Sequence, residues 1–113
     1  MSSKESIIKL VELYNDGYIV DFPTHILKGE DLAGIDFSDI WFIDATFDYS
    51  DLSYCDFRGA MFKGSCSFDN AVFHDTDFTG SSGLPPSVIK DHGSDIFIRY
   101  EDYEKSHRKG DAS

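Results

Sequence analysis

Between Glu30 and Gly80 a bulky apolar residue returns every five positions. Leu32, Phe37, Phe42, Phe47, Leu52, Phe57 and Phe62 keep the spacing without a break. One extra residue enters near Gly64-Ser65, and Phe68, Phe73 and Phe78 resume it. Two residues before each core position comes a second, usually small one: Ile35, Ile40, Ala45, Ser50, Cys55, Ala60, Cys66, Ala71 and Thr76. An α-helix repeats at about 3.6 residues and a strand at about 2, so neither serves this period. Self-similarity at a fixed period predicts a solenoid in which each unit buries its apolar side against the next.

Three segments carry the motif most clearly: Ser50-Asp51-Leu52-Ser53-Tyr54, Cys55-Asp56-Phe57-Arg58-Gly59 and Thr76-Asp77-Phe78-Thr79-Gly80. In them the chain resembles the pentapeptide repeat family, and the resemblance covers about half of it. The resemblance implies an all-β fold, a right-handed quadrilateral β-helix with one pentapeptide per side and four per coil. The central Leu or Phe and the small residue would point inward, and the other three positions outward. Several pentapeptide repeat relatives are DNA mimics that occupy the DNA site of gyrase and similar topoisomerases. Gyrase-protecting relatives are long dimeric rods, whereas this repeat region makes about two and a half coils.

The remainder reads as caps on one domain. Residues 1–29 form an amino-terminal helix and lead-in, 30–80 the solenoid, and 81–113 a turn, a strand and a polar tail. Ser2 and Glu5 suit a helix start, and Ile7, Leu10, Val11 and Tyr14 make one apolar stripe. Asn15-Asp16-Gly17 is a stop signal. Tyr18 to Ile26 reads as a lead-in whose apolar residues, Ile19, Val20 and Phe22, join the first coil. Glu30 occupies a small inward place, so the first regular coil is expected near Ile35. Pro86 opens a short helix through Asp91 before Gly93. Asp95 to Tyr100 is a strand expected beside Trp41 and Met61. Cys55 and Cys66 fall at inward places and are expected to be buried free thiols.

The net charge is −11, and residues 29–80 contribute −9 of it, with eleven acids against Arg58 and Lys63. Such a balance argues against direct binding of nucleic acid or anionic lipid. No apolar run is long enough to span a membrane, and a cytoplasmic protein is the simplest reading. With four repeats per coil, outward residues twenty apart should align, or twenty-one across the extra residue. That places Asp36, Asp56 and Asp77 in one column. Asp31 and Asp51, with Asp75, fall on a second side, and Asp48 and Asp69 on a third; Asp39 joins the same acidic surface. The fourth side presents Trp41, Ile43 and Met61 outward. It is either covered by the terminal strand or the helix, or used for binding or homodimerisation.

The aspartates have a local reading, as acceptors of turn N–H groups, and a functional one, as lines of charge imitating phosphate rails. The functional reading makes the chain a non-enzymatic, acidic inhibitor. It would block the basic DNA-binding site of a protein or nucleoprotein complex, with a CRISPR effector or a topoisomerase as candidates. The alternatives are a gyrase- or topoisomerase-interacting pentapeptide repeat protein and a structural interaction module using Trp41, Ile43 and Met61. No nucleophile motif, phosphate loop or metal-ligand spacing is present, and no cofactor is expected. His74-Asp75 is an isolated outward pair.

Overall fold

The structure, a computed structural model, describes residues 2–98. Its centre is a coil that returns beside itself every twenty residues. Strand β1 (Trp41–Ile43) pairs in parallel with β2 (Met61–Lys63), matching Phe42 to Phe62. Single parallel bridges do the same on other sides, Asp31 to Asp51 and Asp36 to Asp56. After the extra residue the offset becomes twenty-one: Thr46 to Ser67, Asp51 to Val72, Asp56 to Asp77 and Met61 to Ser82. The insertion is absorbed at one corner, where the Asp44 carboxylate accepts the Ser65 N–H at 2.8 Å. The inward set therefore keeps its direction while the chain lengthens by one.

Pairing stays short because most repeats end in a tight turn. In the Leu52 repeat, Cys55 N–H donates to the Leu52 carbonyl at 3.1 Å, and Tyr54 between them has φ 60°. The same turn closes the Phe57 repeat, where Gly59 has φ 69°. A left-handed third residue is what such a turn requires. Each turn leaves only two or three residues per side to pair with the next coil.

The core is a set of aromatic stacks. Phe57 lies between Phe37 (5.1 Å, 16°) and Phe78 (4.9 Å, 6°), and all three are fully buried. Phe42 stacks on Phe62, and Phe47 on Phe68. Neighbouring stacks meet edge to face, as Phe47 meets Phe57 at 89°, a favoured arrangement for aromatic quadrupoles. The small inward residues solve a second problem. Cys55 Sγ donates to the Leu32 carbonyl, Thr76 Oγ1 to that of Leu52, and Ser50 Oγ to that of Leu27. These three buried polar atoms thus find partners in the coil above.

Helix α1 (Ser3–Asn15) begins at Ser2, whose Oγ accepts the Glu5 N–H. It buries Ile7 and Val11 on the first coil, with Leu10 and Tyr14 packed alongside. Among the described residues, the helices are α1 and α2 (Pro86–His92), and neither is long and apolar enough to cross a membrane. Helix α2 buries Val88, and His92 packs against Phe73 at 4.6 Å.

Four expectations need correction. The regular coil starts at Leu27 rather than Ile35: Leu27 is fully buried, and Gly29 N–H already donates to Asp48 O at 2.8 Å. Glu30 is tolerated because it borders the gap beside α1, where no full coil presses on it. In the lead-in, Phe22 is buried but Val20 is 88 % exposed, so the segment contributes one ring rather than a whole rung. Cys66 is only partly buried, since the extra residue lifts the corner beside it.

The fourth correction concerns the last strand. Strand β4 (Ile96–Phe97) pairs with β3 (Thr76–Asp77), matching Thr76 to Ile96. It forms the next rung of the Phe57–Phe78 side and does not lie on Trp41 and Met61. Twenty residues separate Thr76 from Ile96, so the chain resumes the coil register once α2 is complete. Arg99, Tyr100 and the tail lie outside the described residues.

Candidate functional site

The outward aspartates are held by their own turns. Asp31, Asp36, Asp51, Asp56 and Asp77 each accept, through Oδ1, the N–H of the residue two further on, at 2.9–3.2 Å. This short loop is the geometry that favours Asp in turns. It also fixes each side chain in one rotamer. At Asp36 and Asp77 the second oxygen, Oδ2, takes no hydrogen bond among the described residues. Asp36, Asp56 and Asp77 are consecutive bridge partners and form one column. The stacked rings behind them set its spacing at about 5 Å per coil, the usual strand separation.

The column is not uniformly negative. Arg58 closes on Asp56 with its Nε and a terminal nitrogen, at 2.7–3.0 Å. Burial alone would raise the Asp56 pKa, but the Arg58 side chain and N–H outweigh it and hold the carboxyl below the usual carboxylate range. Asp56, in turn, pushes the Arg58 pKa up. The sequence signal for this clamp was an Arg two residues after Asp in the same repeat.

On the adjacent side Asp31 bridges to Asp51, and Val72 takes the third place. Asp51 is held low by the Ser53 hydroxyl and N–H. Lys4 of α1 approaches Asp31 at 3.7 Å. On the third side Asp48 accepts the Asp69 N–H at 2.8 Å. Burial works to raise Asp48, yet bonds from Ser67, Asp69 and Thr46 leave its pKa lowered. Asp39 and Asp75 sit at left-handed corners, with φ 61° and 49°. His74 lies 3.9 Å from Asp75 and meets the Tyr54 ring at 5.1 Å.

The fourth side carries Trp41, Ile43 and Met61 outward, with Lys63 4.9 Å over the indole. Trp41 is 50 % and Ile43 49 % exposed. Among the described residues, β4 pairs with β3 and does not cover them. The Tyr14 hydroxyl of α1 accepts the Trp41 N–H at 3.3 Å, and Thr24 donates to Ile43 O. An open groove of about 680 Å³ remains between the lead-in and this strand. Among the described residues no three His, Cys, Asp or Glu converge as a metal site.

A parallel coil built of five-residue units, with anchored aspartates outside and stacked phenylalanines inside, defines the class: a pentapeptide solenoid. The family model for pentapeptide repeats matches residues 27–64 and 42–82, with eight copies. The chain belongs to the pentapeptide repeat family. A search of the curated proteins and one of the solved structures returned no match.

Proposed function

We propose that this protein is a non-enzymatic inhibitor whose acidic sides occupy the basic DNA-binding site of a protein or nucleoprotein complex. The scaffold would be the right-handed, four-sided β-helix that the family implies. The observation that carries the reading is the Asp36–Asp56–Asp77 column, registered by parallel bridges on a chain of net charge −11. Each carboxylate is oriented before any partner arrives, which lowers the ordering cost of binding. Duplex DNA presents phosphates about 3.4 Å apart along each strand. The column, at about 5 Å per coil, is a sparser version of that rail. Repulsion within such a charge set is unfavourable for the isolated protein and is relieved on a cationic partner.

A CRISPR effector and a topoisomerase are the candidate targets, since both grip duplex DNA in a basic channel. The test is displacement of labelled duplex DNA from purified DNA gyrase and from an RNA-guided DNA nuclease. Competition that fades as salt rises supports the reading; an absence of competition on both enzymes at low salt opposes it. The exposure of Trp41 and Ile43 favours a second reading, an interaction module that binds a partner or a second copy through the apolar groove. Binding that is insensitive to salt but lost in Trp41→Ser would favour it.

A further inference from the structure

The side of the coil through Leu52 carries a feature that the five-residue pattern does not call for. The corner residue two after each core position, from Gly29 to Gly80, has positive φ. Five glycines, three aspartates and one asparagine fill these corners, against two tyrosines, Tyr49 (φ 63°) and Tyr54 (φ 60°). Gly, Asn and Asp adopt that backbone readily and bulky side chains do not. No burial compensates: Tyr49 is 64 % and Tyr54 59 % exposed, although the Tyr54 ring meets His74 edge to face at 5.1 Å. The two tyrosines stand at consecutive corners and flank a single side. Between them lie Asp51 and its bridge partner Val72, itself 53 % exposed.

Two aromatic faces, an aliphatic floor and a carboxylate are the chemistry that receives a guanidinium group. The planar cation stacks on a tyrosine ring while its N–H groups reach a carboxylate, and an ammonium group does this less well. Asp48, at the neighbouring turn, adds negative charge, while Asp31 above is approached by Lys4 at 3.7 Å, a looser pair than the Arg58 clamp on Asp56. The Asp36–Asp56–Asp77 column offers less, because Arg58 of the chain itself already occupies its central carboxylate.

We propose that the Tyr49–Asp51–Tyr54 side is where an arginine-bearing surface of a protein partner docks, with tyrosine stacking adding to charge attraction. The proposal rests on the acidic-surface reading above and names the side that makes first contact.

Calorimetric titration with nonaarginine and nonalysine peptides, at about 150 mM salt to screen diffuse attraction, tests it. The wild type should bind nonaarginine about tenfold more tightly than nonalysine. The double variant Tyr49→Asn/Tyr54→Asn should lose most of that preference while its melting temperature holds or rises, because Asn suits a left-handed corner. Tyr49→Phe/Tyr54→Phe keeps the rings and should keep the preference. An Asn variant that binds nonaarginine as tightly as wild type overturns this inference and leaves the acidic-surface reading standing. A wild type that binds neither peptide overturns both.

Discussion

Replacing Phe57 by alanine should be the most costly single truncation in the repeat. The ring is fully buried, stacked on both sides at 5.1 and 4.9 Å, and met by Phe42, Phe47 and Phe62 at 5.6–5.9 Å. Withdrawing it forfeits about 2–3 kcal/mol of transfer free energy. A residual void of about 80 Å³ at about 24 cal/mol per Å³ adds about 2 kcal/mol. The void cannot close easily, because Phe57 N–H is bonded to Asp77 O at 2.7 Å and Asp56 N–H to Ile35 O at 3.0 Å. Those bonds hold the coils at their spacing whatever the core contains. The expected loss is therefore about 4–5 kcal/mol, at the upper end for such changes. Phe73→Ala is the internal control. Phe73 is 6 % exposed and, beyond Phe68 and Phe78, is covered by His92 of α2 rather than by a full coil. It should cost about 3 kcal/mol or less. Urea unfolding followed by far-ultraviolet circular dichroism gives both values, with an unchanged slope confirming a common unfolded state. A loss below about 1 kcal/mol for Phe57→Ala, or a larger loss for Phe73→Ala, would refute the stacked-core argument.

Gly83→Ala should destabilise far more than Gly59→Ala, as thermal melts of the two variants would show. Both glycines have positive φ, but a Cβ at Gly83 meets the Phe62 carbonyl, which is backbone, whereas at Gly59 it meets the Asp39 carboxylate, which can swing away. Acid should destabilise the fold. The carboxyls of Asp48, Asp51 and Asp56 sit below their ordinary values, so their contribution is complete above the unfolded pKa of about 4 and is lost as pH falls through the lower folded values. Melting temperatures across pH 7 to 2 check this, and a melting point unchanged below pH 4 would contradict it. At the alkaline end burial pushes the Cys55 thiol up to about 12 from 9.0. Its contribution is complete below 9.0 and declines as pH rises toward the folded value, so Cys55→Ala should be less sensitive to alkali than wild type. In the native protein a thiol reagent should label partly buried Cys66 well before Cys55.

Much of the coil could be read from spacing. A run of core residues five apart, most of them preceded by a small residue at minus two, allows one inward face and one register. The single slip near Ser65 converts an offset of twenty into twenty-one, as the Asp56–Asp77 and Met61–Ser82 bridges show. Less legible was whatever depended on contacts outside the period. Ile96 and Phe97 have apolar neighbours that suit any exposed edge, and only the three-dimensional path through α2 returns them to Thr76 and Asp77. Glu30 disrupts the pattern, yet the space beside α1 accommodates it. For the candidate surface, the columns followed from arithmetic. The Arg58 clamp did not, because a side chain at the rim can turn toward several carboxylates. The two corner tyrosines gave a signal in the wrong residue type for a left-handed turn, visible only once the turn was known to be left-handed.

The proposed function requires that oriented carboxylates, rather than the apolar groove, carry binding. The direct measurement compares wild type with Asp36→Asn/Asp56→Asn/Asp77→Asn in displacing duplex DNA from DNA gyrase and from an RNA-guided nuclease at low and high salt. Asn retains the Oδ1 acceptor for the turn N–H, so the fold should survive while three charges are removed. The predicted result is displacement by wild type at low salt that weakens steeply as salt rises, and a loss of about tenfold or more in the triple variant at low salt. A triple variant that displaces DNA as well as wild type at low salt would contradict a role for this column and turn attention to the Tyr49–Asp51–Tyr54 side and to Trp41, Ile43 and Met61.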